Sequence, residues 1–105
     1  MTKEILLVAE AVSAEKGVSE DIIFEAIESA LAMATKKRYD EEADIEVTID
    51  RETGDYETVR RWLVVPDDEL ALLGTQFTTE EAIEKDASLV PGDIYQEQVE
   101  NVEFG

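Results

Sequence analysis

The spacing of apolar residues changes once along this chain, and that change bounds the folds open to it. Before Arg38 they recur every three or four positions; from Ile45 onward they alternate with polar residues. The first spacing gathers side chains on one face of a helix, and the second gathers them on one face of a strand. Helices followed by sheet make an α+β domain.

In the first part, Ile5, Val8, Ala9 and Val12 predict a helix from Lys3 to Lys16. Gly17 suits a left-handed helix stop, Ser19 an N-cap, and Glu20 and Asp21 the positive first turn of a second helix. Val18 and Ile23 fit a hydrophobic staple. The second helix is expected from Glu20 to Arg38, with Ile23, Ile27, Ala30 and Ala34 on one stripe, widened by Phe24 and Leu31. Ala26, Ala30 and Ala34 are small enough for another backbone to come close. The short turn between the helices predicts an antiparallel hairpin.

In the second part, Ile45, Val47 and Ile49 alternate with Glu46 and Thr48, which reads as a half-buried strand. DRETGDY supplies a turn around Gly54, and YETVRRWLVV reads as the returning strand of a β-hairpin. Trp62 with Val64, and Leu63 with Val65, make the end of that strand apolar on both sides. Glu69 to Gly74 is open between loop and helical turn, and TQFT reads as a short strand. Thr78 and Glu81 have capping-box spacing, so a short helix from Thr79 to Lys85 is predicted. VPGD fits a type II turn, and IYQEQVE a further strand.

A chain of 105 residues, 44% of them hydrophobic, is long enough for one domain with one core. It has no cysteine, hence no disulfide or thiolate metal site, and no histidine, hence no Ser–His or Cys–His catalysis of the usual kind. With 27 acids, chance carboxylate pairs are inevitable, and none is marked by sequence as an acid/base site. DEEADIE and DRETGD lack the order of acids, glycine and final glutamate of an EF-hand, and the 5 glycines are scattered rather than forming a phosphate loop. No enzyme, cofactor or metal site is expected. The longest apolar runs are a few residues and the N-terminus lacks a secretory pattern, so a cytoplasmic monomer without membrane contact is expected.

The formal charge of −18, from 9 basic and 27 acidic residues, makes the grouping of the cations informative. Lys36, Lys37 and Arg38 form one group and Arg60 and Arg61 another. Two readings stay open for the first: a binding surface, or cations that complement a helix C-terminus for about 0.3 to 1 kcal/mol each. Arg60 and Arg61, adjacent on a strand, are expected on opposite faces unless a bulge intervenes. Tyr39 and Trp62 beside these groups suit base stacking or core packing, with the core the commoner fate of aromatics in a small domain.

KEILLVAEAVSAEKGV, IFEAIESALAMATKKRY, ETVRRWLVV and SLVPGDIYQEQVE, in this order and spacing, resemble the N-terminal domain family of the bacterial transcription elongation and termination factor NusA, over essentially the whole chain. The resemblance implies an α+β head with a bifurcated, coiled sheet joined to a helical body. It also implies a fragment of a longer protein, continuing into a long helix, an S1 domain and two KH domains. It implies docking on RNA polymerase at the β-subunit flap tip near the RNA exit channel, through an apolar groove that accepts a helix. There the domain would help nascent RNA hairpins to modulate pausing, termination and antitermination. By matching position, Lys36, Lys37, Arg38, Arg60 and Arg61 would face the RNA.

Three functional readings follow. The leading one is a non-enzymatic polymerase-docking module with a modest basic face toward RNA. The alternative is an acidic inhibitor that mimics nucleic acid, or another acidic protein-interaction domain. Direct RNA binding by this chain alone is the weakest, because a few cations must overcome the repulsion of a −18 charge.

Overall fold

The computed structural model describes residues 2–69, 72 and 74–104. In chain order the elements are α1 (Thr2–Lys16), α2 (Glu20–Lys36), β1 (Asp44–Ile49), β2 (Tyr56–Val65), β3 (Gln76–Thr78), α3 (Thr79–Lys85) and β4 (Ile94–Val99). Glu69 to Gly74, left open by the sequence, includes residues 70, 71 and 73, which lie outside the described residues.

Local chemistry sets the ends of the elements. Gly17 stops α1 with φ +69°, and the Ser19 hydroxyl accepts from the Ile22 amide at the start of α2. The capping box of α3 is complete, with Thr78 and Glu81 exchanging side chain to backbone bonds. Gly92, at φ +95°, closes the turn into β4 while the Asp93 amide bonds the Val90 carbonyl at 3.0 Å. Helix α2 stops at Lys36, two residues short of the expected Arg38. Beyond it the Arg38 and Tyr39 amides turn back to the carbonyls of Thr35 and Lys36, a tighter spacing that ends the α-helix.

Strand β2 holds the sheet together. On one side β4 runs antiparallel to it, from Thr58 opposite Val99 to Leu63 opposite Ile94. On the other side β1 pairs antiparallel with Tyr56 to Arg61, and β3 then pairs parallel with Leu63 to Val65. Backbone bonding alternates between edges: the Leu63 amide reaches the Thr75 carbonyl, and the Val64 amide reaches the Asp93 carbonyl. One edge of β2 is therefore shared in succession by β1 and β3, and the sheet splits beside Trp62. This is the bifurcation that the resemblance implies.

The core lies between the helices and one face of β1. Ile45, Val47 and Ile49 are buried against Phe24 and Leu31 of α2, Ile5 and Ala9 of α1, and Val102 beyond β4. Arg51 fastens this layer: its guanidinium lies 2.8 Å from Glu28 and 4.8 Å from the Phe24 ring centroid, and it donates to the Ile49 carbonyl. The buried face of α2 is Phe24, Leu31 and Thr35, rotated from the stripe that the spacing predicts. Ile23 and Ile27 are half-buried, and Ala30 and Ala34 are exposed. Strand β1 needs only one face of the helix, so its remaining apolar residues stay outside that interface.

A second cluster fills the far end of the sheet. Trp62 stacks on Phe77 with centroids 4.9 Å apart, and Tyr95 lies 5.8 Å from Trp62. Within the first cluster, the Tyr56 hydroxyl donates to the Val102 carbonyl. The Asn101 side chain joins Thr58 and the Tyr56 carbonyl, so the segment after β4 is tied back across the sheet. The whole measures 53 × 22 × 20 Å.

Burial raises the Tyr56 phenol above the ordinary tyrosine value; the Phe104 amide opposes this and the charge of Glu103 adds to it. The neutral phenol is favoured in the fold, so its contribution is full below the unfolded tyrosine pKa and is lost as pH rises through the folded value. Tyr56→Phe should cost about 1 kcal/mol at neutral pH by loss of the hydrogen bond. In denaturant titrations repeated at rising pH, the gap between the two proteins should close above the ordinary tyrosine range.

Candidate functional site

The turn after α2 carries the first group of cations to the sheet. Thr35, wholly buried, returns its hydroxyl to the Leu31 carbonyl at 2.8 Å and seats the last turn of the helix. Lys37 and Arg38 are exposed and Lys36 is half-buried. Among the described residues none of the three has an ion-pair partner.

Arg60 lies beside them. Its guanidinium sits 4.7 Å from the Trp62 ring centroid and 5.7 Å from that of Tyr39, the residue after Arg38. Its Nη2 donates to the Gly74 carbonyl at 3.2 Å, while its buried Nε has no hydrogen-bond partner among the described residues. Tyr39 is 47% exposed, so the outer end of this stack reaches solvent, whereas Trp62 belongs to the core. Arg61 points to the opposite face, as strand alternation requires. There it is paired, with Nη1 3.1 Å from Glu46 and Nε 3.5 Å from Asp44. The five cations thus divide: Lys36, Lys37, Arg38 and Arg60 share one corner, and Arg61 is held by acids on the back of the sheet.

Sequence reasoning missed Asp40 and Gly74 at this corner. Gly74 has φ +91°, and a Cβ added there would meet the Asp40 carboxylate at 2.5 Å and Arg60 Nη2 at 3.9 Å. A glycine 34 positions from the acid it touches carries no signal of that contact in sequence.

A separate apolar groove of about 940 Å³ lies between α1 and α2. Glu4 and Val12 of α1 and Ile23 and Ala30 of α2 all line it, so the two helices lie side by side, joined by the short turn that the predicted hairpin requires. Leu7, Val8, Ala26, Ile27, Leu31 and Phe104 complete its apolar walls, and Glu4 and Glu103 supply charge. Leu7 is 64% exposed. Ala26 and Ala30 thus line an open groove, and Ala34 is exposed outside it. Periodicity could not separate them from the core, since both sets recur at helical spacing.

Among the described residues no group of three or more acids is disposed to hold a metal ion, and no helix is long and apolar enough to cross a membrane. The arrangement offers instead an apolar groove on the helical body and a cationic, aromatic corner where that body meets the sheet.

The fold is thus an α+β head on a helical hairpin that carries those two surfaces. The sequence profile of the NusA N-terminal domain matches residues 4–105. The transcription termination/antitermination protein NusA of Rickettsia conorii is 38% identical over 94 residues, and that of Rickettsia prowazekii 36%. Each alignment covers 89% of this chain and 18% of the relative, so the chain spans under a fifth of the curated relatives it matches. The solution structure of the N-terminal domain of NusA from B. subtilis superposes with a TM-score of 0.71 at 33% identity, covering 100% of this chain and 83% of that one. The chain belongs to the NusA N-terminal domain family.

Gly74→Ala should destabilise the fold by about 1 to 3 kcal/mol, because it joins a left-handed backbone strain to a clash with Asp40. Displacing Asp40 and Arg60 should also alter the fluorescence of Trp62, the one tryptophan of the chain. Unchanged emission and an unchanged denaturant midpoint would show that the corner does not depend on this close approach.

Proposed function

We propose that this chain is the polymerase-docking module of a transcription factor, acting without catalysis on pausing, termination and antitermination. It docks on the β-subunit flap tip near the RNA exit channel and turns the corner of Lys36, Lys37, Arg38 and Arg60 toward the emerging RNA hairpin. The observation that carries this reading is the apolar groove between α1 and α2 in a member of the NusA N-terminal domain family. From Glu4 to Val12 the groove follows about 12 Å of helix axis, enough for roughly two turns of a docked helix.

The RNA contribution is secondary. Lys36, Lys37, Arg38 and Arg60 leave a local excess of positive charge that Asp40 reduces, and the overall charge of −18 opposes approach of a polyanion, so polymerase must hold the RNA in place. Arg61 is the least suited of the five to face RNA, since Asp44 and Glu46 already neutralise it.

Binding to purified core polymerase tests the reading. Leu7→Ser, at an exposed position, should leave the circular dichroism spectrum unchanged and weaken binding by about tenfold or more, as expected for an anchor residue. Deleting the flap tip should have the same effect; full binding without it would refute the docking site. Competition between this chain and DNA for the polymerase would favour the nucleic-acid mimic. In isolation, RNA hairpin binding should be weak at physiological salt, and Lys37→Ala should lower the slope of log affinity against log salt by about one.

A further inference from the structure

Strand β1 has an edge that the sheet does not use. Alternation along β2 turns the backbone groups of Glu57, Val59 and Arg61 toward β1, and their partners Thr48, Glu46 and Asp44 turn back toward β2. The amides and carbonyls of Ile45, Val47 and Ile49 therefore point away from the sheet. Ile49 confirms this direction: its amide donates to Glu28 Oε2 at 2.9 Å and its carbonyl accepts from Arg51 Nη1 at 3.0 Å. At the other end the Ala43 amide bonds the Asp40 carbonyl. Between these two closed ends, Ile45 and Val47 have no bond to their outward groups among the described residues.

This open stretch does not face bulk water alone. A groove of about 400 Å³ runs beside it, walled by Ile45 and Val47 on one side and by Glu25, Glu28, Ser29 and Ala32 of α2 on the other. Ser29 and Ala32 keep the helical wall low, leaving room for a side chain. The charge around the groove is negative on both faces. Glu25 has no ion-pair partner among the described residues, and Asp44 and Glu46 share the single cation Arg61. A strand edge beside a helix, with two free pairs of backbone groups and carboxylates above and below, is complementary to an extended peptide with basic side chains.

We propose that this groove binds an extended segment bearing lysine or arginine, which adds to β1 as a further strand. Main-chain bonds to Ile45 and Val47 hold it, and Glu25 and the surplus acid of the Asp44–Glu46–Arg61 group select its charge. A second copy of this chain is the wrong occupant, because its own acidic edge and its charge of −18 repel the first. The outer edge of β4 also carries backbone at Ile94, Gln96 and Gln98 that has no partner among the described residues, and it serves as an internal comparison.

The probe is the peptide acetyl-Lys-Val-Lys-Val-Lys-amide, titrated into the chain and followed by amide NMR. Shifts and slowed hydrogen exchange are expected at Ile45 and Val47, with Gln96 and Gln98 unmoved. N-methylating one alternate set of peptide amides, either the valines or the lysines, should abolish binding, and N-methylating the other set should not. Ser29→Tyr, a surface change that fills the groove, should weaken binding about tenfold or more, and an acetyl-Glu-Val-Glu-Val-Glu-amide peptide should not bind. Equal tolerance of both N-methylated peptides would reduce the effect to unstructured charge attraction and overturn the proposal. So would shifts centred on β4 or on the α1–α2 groove, dimerisation through β1, or no binding at all.

Discussion

The arrangement of this domain depends on β2, a strand of ten residues that pairs with three others. A strand has two edges, so three partners fit only if two share one edge in succession, and β1 and β3 do so on either side of Trp62. That sharing parts the sheet into a helical side and a head side. β1 carries the helices on its buried face, while β3 leads directly into α3. The same strand sends Thr58, Arg60, Trp62 and Val64 to one face and Val59, Arg61 and Leu63 to the other. Adjacent arginines thereby acquire different surroundings: aromatic rings and the end of α2 for Arg60, and two carboxylates for Arg61.

Charge follows from this geometry more than from composition. A chain with three acids for each base is acidic almost everywhere, yet the turn after α2 lays Tyr39 over Arg60, and Lys36, Lys37 and Arg38 have no ion-pair partner among the described residues. Arg51 shows the opposite use of a cation. It ties Glu28 of α2 to the end of β1, and its protonated form is further stabilised, first by the hydrogen bond to Glu28 with burial working against it. One cation locks two layers together, whereas Lys37 and Arg38 are exposed and Arg60 is half-buried between Tyr39 and Trp62.

Much of this was legible in the sequence. The change of period placed the helices and strands, Ser19 and Thr78 marked helix starts, and Gly17 and Gly92 marked turns, since each depends on residues within a few positions of one another. The ordered blocks from KEILLVAEAVSAEKGV to SLVPGDIYQEQVE carried the family. The buried face of α2 was not legible, because that helix has more apolar surface than one interface uses. Helical spacing alone does not say whether Phe24 or Ile23 meets the sheet. Nor was the contact of Asp40 with Gly74, which joins segments brought together only by the split sheet.

By itself the sequence determined the α+β class, the order of the elements, the family and the two groups of cations, because local propensity and alternation act over short distances. Only the tertiary structure decided that Arg60 joins Lys36, Lys37 and Arg38 while Arg61 is neutralised. It alone opened one groove between the helices and another along β1. Those outcomes depend on which edge and which face of β2 each distant segment occupies, and pairings of that kind are fixed by packing across the whole domain.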